Sequence, residues 1–407
     1  MLTSIAAVLV TAGLATLGPT QSTPPSPEGQ GGHDTRFQVI SDTEIIIDGI
    51  TYHSWDEVAQ SGFHQMEETR CKAIALDWGD VVRGGANDCS FSRTNIEAQY
   101  DPSVQKYRIP VVVHIITNSN GTTGSVPDSR VYSQIEVLNE DFLAISGTNG
   151  APGTDVQIEF YLATEDPNGN PTTGITRSAN TTWFNDGGSY WNSLAWDTNR
   201  YLNIYTNSGG GALGYVPNLP QGGIAGSNSD RVVILYSTFG RNAPYNPYHL
   251  GRTTTHEVGH YLGLDHTFAG GCSNGYTSGD LINDTNPESS PTFGCPGSRN
   301  SCGLPAPFHN YMDYSDDICM NQFTPEQANR MRCTLEHYRP LLYSVAGPSG
   351  CSDADLAEPF GELNFFDVSA YLAAFNSQDP AADFDSNGNY DFFDVSLFLG
   401  LFNVGCP

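Results

Sequence analysis

Residues 256–266 read HEVGHYLGLDH: three histidines, a glutamate and two glycines within eleven positions. On a helix, side chains four apart share a face, so His256 and His260 aim at one point and Glu257 stands one step round from them. His266 lies six residues beyond His260 and cannot share that face, so the helix must stop between the two. Gly263 can end it in a left-handed turn without Cβ strain, after which the chain folds back and carries His266 toward the other two. Three neutral imidazoles with an open fourth position make a catalytic zinc site, and the adjacent carboxylate of Glu257 suits a general base.

A bare H-E-x-x-H arises by accident on amphipathic helices. Here the glycine and the third histidine also fall at the spacing of the extended zincin motif. An open coordination position with a free glutamate beside it argues against a purely structural zinc.

The chain has 407 residues, which implies two or more domains. Its net charge is −28, from 45 acidic against 17 basic groups, and Lys72 and Lys106 are its only lysines. Such a surface repels nucleic acid and anionic membranes and favours cations. The apolar run IAAVLVTAGLATL within residues 1–22 reads as a signal peptide, with GPTQSTPPSPEGQGG following as a disordered stretch. No later segment is long and apolar enough to span a bilayer. Nine cysteines in an exported chain imply disulfides with one thiol left over.

Residues 37–59 predict two short strands joined at Asp48-Gly49. KYRIPVVVHIITN (106–118) predicts a buried strand, with His114 as a core histidine. Val131, Ile135, Leu138 and Phe142 mark a helix, and 156–164, 201–206 and 230–240 predict further strands. The helix carrying His256 is expected to begin at Asn246, as cap, with Pro247 in its first turn. TPEQANRMRCTLEHYRP (324–340) predicts a helix capped by Thr324 and Gln327, opened by Pro325 and ended before Pro340. Strands with interspersed helices and a metal helix after the sheet give an α/β enzyme domain. Beyond the linker at 344–350, LNFFDVSAYLAAFN recurs 27 residues later as YDFFDVSLFLGLFN. Two such short units are expected to pack on each other.

YLNIYT, ALGYVP, HLGRTTTHEVGHYLGLDHTF, GGC, GDLINDT, GC and NYMDYSDDICMNQFTPEQANRM follow one another across about residues 106–340. In that order the chain resembles the pappalysin/cytophagalysin (ulilysin-like) group of metzincin zinc endopeptidases. The resemblance implies an α/β metzincin catalytic domain: a twisted mixed sheet, an active-site helix, a zinc cleft and a Met-turn. It implies zinc on His256, His260 and His266, with Glu257 activating water, Met312 in the Met-turn and Tyr314 as a hydroxyl donor to the tetrahedral intermediate. The edge strand GALGYV would pair with extended substrate. Asp316 and Asp317 would favour a basic primed-side residue, or else be solvated loop carboxylates. Disulfides Cys272–Cys302 and Cys295–Cys319 are implied, as is calcium at Asp280, Asp284 and Thr285, which could instead cap turns.

DFDSNGNYDFFD (383–394) has calcium-loop spacing. Asp383, Asp385, Asn387, Asp391 and Asp394 would supply side chains and Asn389 a carbonyl around a glycine turn. The final aspartate makes the pair resemble dockerin repeats, whose partners are cohesins; a cell-surface tether is the other use. In the first repeat Asp353, Asp355, Asn364 and Asp367 correspond, but Pro359 and extra residues interrupt the loop. Cys351 and Cys406 bracket the pair and would clasp its ends.

Setting these pairs aside leaves Cys71, Cys89 and Cys333. Relatives in this group block the zinc of the precursor with a propeptide cysteine that follows arginine, and Cys71 follows Arg70, with Lys72 where the family has glycine. Cys71 would then ligate zinc in the latent form, Cys89 would pair with Cys333, and a cut after Arg83 would free the enzyme. The alternative is a Cys71–Cys89 bridge with Cys333 free.

The expected organisation is a signal peptide (1–22), propeptide (23–83), metzincin domain (84–345) and a small α-helical dockerin-like domain (346–407). The expected protein is a secreted zinc endopeptidase made as an inactive precursor, with structural calcium, acting on proteins or peptides. Its rival is a calcium-dependent attachment protein in which the peptidase domain serves only as scaffold.

Overall fold

The computed structural model describes residues 36–73, 106–275, 278–346, 351–357, 362–379, 382–384 and 389–406. At the N-terminus, β1 (Phe37–Ser41), β2 (Glu44–Ile47) and β3 (Ile50–Tyr52) form an antiparallel meander. The sequence suggests two strands here. The first run instead breaks at Asp42-Thr43 as well as at Asp48-Gly49, because β1 turns back to pair with β2 through Ser41 and Glu44. The short helices α1 (Trp55–Ser61) and α2 (Glu67–Arg70) follow, with Ser54 capping the first through its side chain.

The long strand β4 (Lys106–Thr117) is the spine of a seven-stranded mixed sheet. Its apolar run from Val111 is buried on both faces, as a central strand requires. His114 is buried there, bonded to Thr176 and Asn203. Helix α3 (Asp128–Phe142) leads to β5 (Ile158–Leu162) and β6 (Ile175–Ala179), both parallel to β4. The short α4 (Thr181–Phe184) and α5 (Trp191–Leu194) precede β7 (Leu202–Asn207), which is parallel to β4. Strand β8 (Gly214–Tyr215) runs antiparallel to β9 (Val232–Leu235) and forms the sheet edge.

Helix α6 (Arg252–Tyr261) packs against β8, β9 and α3. It begins later than the expected cap at Asn246 and Pro247. Gly251, at φ 87°, turns the chain into the helix, and Asp317 accepts the Leu250 and Arg252 N–H groups, so a residue distant in sequence supplies the anionic cap. A small hairpin, β10 (Asn300–Ser301) with β11 (Leu304–Pro305), precedes α7 (Pro325–Tyr338). The capping box of α7 joins Thr324 and Gln327. Strand β12 (Ser344–Ala346) returns to pair with the start of β4.

In the tail, α8 (Phe365–Ser377) and α9 (Phe392–Val404) start with equivalent capping boxes, Asn364 with Asp367 and Asp391 with Asp394. The equivalent residues Tyr371 and Phe398 stack with ring centroids 4.0 Å apart, so each repeat covers the apolar face of the other. Cys351 and Cys406 are disulfide-bonded.

Candidate metal centre

Helix α6 sets His256 and His260 on one face. Its last turn closes through the Gly263 N–H to His260 and the Leu264 N–H to Gly259, with Gly263 at φ 91°. A Cβ at Gly263 would stand 2.6 Å from Gln221 Nε2 and from Thr334 Oγ1, so conformation and space both demand glycine. The reversed chain brings His266 back. The three Nε2 atoms lie 3.0–3.2 Å from one another.

The protons of His256 and His260 are engaged away from this point. His256 Nδ1 donates to the Tyr311 carbonyl at 2.6 Å and His260 Nδ1 to the Leu264 carbonyl at 2.8 Å, which leaves their Nε2 lone pairs facing the common point. Burial lowers all three imidazole pKa values, with neighbouring histidines adding to the effect at His256 and His266. Neutral lone pairs crowded this way repel unless a cation lies between them. Ligand bonds of about 2.0 Å to a tetrahedral zinc place nitrogens about 3.3 Å apart, so the donor set fits that ion.

Glu257 is buried beside this point, and burial pushes its pKa up to about 8. Its Oε1 has no hydrogen-bond partner, while the Cys71 thiol meets Oε2 at 3.6 Å. Edge strand β8 lies directly against it: a Cβ at Gly214 would stand 2.7 Å from Glu257 Cγ. Tyr314 Oη lies 3.2 Å from His266 Nε2, its ring packed on His266 and Phe268. Met312 Sδ fills the space beneath α6 that a Cβ on Gly259 would need, at 2.4 Å, and its carbonyl accepts the Thr267 N–H.

A residue that carries no motif ties these parts together. Asp141, buried on α3, accepts from Tyr311 Oη at 2.8 Å, Thr255 Oγ1 at 2.7 Å and Arg252 Nη2 at 3.0 Å. It joins the first turn of α6 to the residue whose carbonyl orients His256. Sequence reasoning passed over it, although an acidic residue in the buried stripe Val131, Gln134, Leu138, Asp141 was the available signal.

Cys71 carries a free, buried thiol, which excludes its bridge to Cys89. Its Sγ and one nitrogen each from His256, His260 and His266 all lie within 4.8 Å of one another. Burial, and then the Glu257 carboxylate, push the thiol's pKa up. The Cys71 segment pairs with β8 in parallel, the Leu213 N–H to the Arg70 carbonyl and the Lys72 N–H to Gly214, each at 3.3 Å. Arg70 lies over the Tyr248 ring at 4.1 Å and donates to the Ser315 carbonyl at 3.0 Å. Asp317 is buried as the cap of α6 and is no solvated loop carboxylate; it and Asp316 share the electrostatic surroundings of Arg70. Lys72 Nζ bonds to the Gly210 carbonyl.

Disulfides join Cys272 to Cys302 and Cys295 to Cys319. Cys333 is disulfide-bonded; Cys89 and Arg83 lie outside the described residues. Asp280 accepts from Thr285 Oγ1 at 2.7 Å, and burial raises its pKa to about 7. Asp284 points elsewhere, accepting from Thr324 Oγ1 at 2.6 Å and the Glu326 N–H at 3.0 Å at the start of α7. In the tail loop, Asp385 and Asn387 lie outside the described residues, while Asp391 and Asp394 cap α9. Asp367, in the first repeat, already accepts the N–H groups of Leu356, Ala357 and Asn364.

Residues 189–336 match the family described as pregnancy-associated plasma protein-A. An extracellular metalloprotease of Colletotrichum graminicola is 39% identical over 240 residues, covering 57% of this chain and 77% of the relative. Among solved structures, mirolysin in complex with a compound is 37% identical with a TM-score of 0.50, covering 58% of this chain and 98% of that one. A mutant of Tannerella forsythia promirolysin is 33% identical with a TM-score of 0.54, covering 67% and 95% respectively.

Proposed function

The chain belongs to the pregnancy-associated plasma protein-A family and is a metalloendopeptidase, and on that premise we propose a secreted zinc enzyme whose metal is held by His256, His260 and His266, with Glu257 as general base. The observation that carries this reading is the convergence of three Nε2 lone pairs beside a buried carboxylate whose Oε1 has no partner.

Bound zinc supplies Lewis acidity toward the scissile carbonyl and the attacking water. The chain does the rest. Strand β8 offers its backbone to an extended substrate, and Gly214 brings that substrate close to Glu257 because no side chain intervenes. Glu257 takes a proton from water and passes it to the departing amine; burial, which favours the protonated carboxyl, helps it hold that proton between the two transfers. Tyr314 donates its hydroxyl to the oxyanion, held in place by packing on His266 and Phe268.

In the precursor, residues 23–83 keep the enzyme latent, with Cys71 as the thiol that would close the fourth position. Two features support this: the thiol lies among the histidines, and its segment lies along β8 where substrate would lie. The pocket of Tyr248, Ser315, Asp316 and Asp317 that holds Arg70 would take a basic primed-side residue of substrate. A cut after Arg83 and a Cys89–Cys333 bridge are the covalent steps of the proposed maturation.

Residues 346–407 would act as a calcium-binding docking module for a cohesin-like or cell-surface partner. Exposed Phe365, Phe366 and Leu372 recur at Phe392, Phe393 and Leu399, which gives the partner two equivalent apolar faces. Asp280 and Thr285 are the remaining candidates for a second, structural calcium, since Asp284 is engaged at α7.

Digestion of a random peptide library by the mature enzyme, with and without a zinc chelator, tests the reading. Chelator-sensitive cleavage with arginine or lysine on the primed side is expected. Cleavage unaffected by zinc removal would overturn the metal assignment.

A further inference from the structure

The N-terminal 30 residues of the described chain make a second, separate grip on the enzyme. Phe37, Val39, Ile45, Ile47, Trp55, Val58 and Phe63 are buried in one continuous core with Phe184, Tyr236, Tyr245 and Tyr248 of the catalytic domain. Trp55 sits at the centre, its ring 5.2 Å from that of Tyr245 and edge-on to Tyr236 at 5.8 Å. Asp42 closes the contact: it accepts from Tyr236 Oη and lies 3.5 Å from Trp55 Nε1. His64 Nδ1 meets Tyr245 Oη at 2.6 Å, Tyr248 Oη reaches the His64 carbonyl at 3.5 Å, and Thr123 Oγ1 reaches the Ile40 carbonyl at 3.2 Å. None of the hydrogen bonds and ring contacts just described involves the three histidines or Glu257.

We propose that residues 36–65 are an independent docking module, seated on the aromatic face of Tyr236, Tyr245 and Tyr248, that retains the Cys71 plug after the chain has been cut downstream. The proposal rests on the latency reading above and goes beyond it by making activation a two-step event.

The reasoning is one of connectivity. A cut within residues 74–88, before the Cys89 proposed to bridge to Cys333, severs the plug from the catalytic domain but breaks none of the contacts just described. Only five residues separate His64 from Arg70, so the module holds the plug at high effective concentration opposite its site. Buried aromatic anchors with satisfied hydroxyls dominate the stability of such contacts. The thiol therefore leaves the cleft only when the module is itself released or digested. Once vacated, the same aromatic face is an exposed docking surface on the mature enzyme, shaped for this fragment of its own chain.

The test uses the full precursor, cut after Arg83 by limited trypsin so that Cys89 stays with the enzyme, then followed by gel filtration and peptidase assay. The wild-type fragment is expected to co-elute with the enzyme and to keep it inactive. Trp55→Ala is expected to weaken retention on the order of 100-fold, so that the cut alone releases the fragment and activity. Should that variant fail to fold, Asp42→Ala, at an exposed position, removes the polar closure and should speed release in the same direction. The proposal is overturned if the wild-type fragment separates as fast as it is cut, or if both variants retain it as wild type does. Full activity of the uncut precursor would sink the latency reading instead, while co-elution still reports the docking.

Discussion

The thiol of Cys71 lies 3.6 Å from the Glu257 carboxylate, across 186 residues of chain, on the side of the cleft where strand β8 passes. On the proposed reading this pair would account for latency, one side chain meeting the proposed base and lying within 4.8 Å of the three histidines. Cys71→Ala should raise the peptidase activity of the uncut precursor at least about tenfold, because alanine offers neither a ligand nor a donor. Assay of the uncut variant checks this, and unchanged activity would show that the segment blocks the cleft by bulk alone.

Glu257→Ala should keep zinc while losing activity by about 10²–10⁴-fold, since all three imidazoles remain. Metal content measured alongside kcat separates the roles. Parallel loss of zinc and turnover would mean that Glu257 supports the site instead of acting as base.

Asp141→Asn should weaken zinc affinity by about 10–100-fold, because the residue orients His256 through Tyr311. Asp230→Asn is the control. Asp230 forms an equally buried ion pair with Arg339, which donates to the Tyr261 carbonyl at the far end of α6. Both variants should lower Tm, and zinc competition should distinguish them. Equal zinc affinity in the two would reduce Asp141 to a packing role.

Acid should loosen the N-terminal module. Burial, and then the charge of Arg70, lower the His64 pKa from 6.5 to about 3, so the docked form holds the ring neutral. A released module regains the ordinary value and binds a proton that the docked form does not. Docking is therefore full above pH 6.5 and weakens as the pH falls toward about 3, by up to about tenfold per unit. Retention of the cut fragment at pH 7 and pH 4.5 measures this, and His64→Phe should flatten the dependence.

The tail should bind one calcium ion. Pro359 and extra residues interrupt the loop of the first repeat, whereas residues 383–394 keep the loop pattern. Calorimetry on the full chain, compared with an Asp383→Ala and Asp391→Ala double variant, gives the stoichiometry. Unchanged uptake in the double variant would place the ion elsewhere, Asp280 being the next candidate.

What the sequence determined by itself is local. The spacing of His256, Glu257, His260, Gly263 and His266 dictates a helix, its stop and a returning histidine, because helical period and glycine's conformational freedom act within a few residues. The capping box of α7 was legible for the same reason, since it is settled by side chains three apart, whereas the equivalent boxes of α8 and α9 lay hidden in residues that read as a calcium loop. The tertiary structure decided whatever depends on partners far along the chain. Helix α6 starts at Arg252 and not near Asn246 because Asp317 arrives to cap it. His256 points its Nε2 inward because the Tyr311 carbonyl takes its other nitrogen, and Asp141 holds Tyr311 from α3. Trp55 finds Tyr236 and Tyr245 nearly 200 residues away. Such contacts have no period and no fixed spacing; they exist only once packing has made distant residues neighbours, and a buried polar group must then take the partner that the fold brings to it.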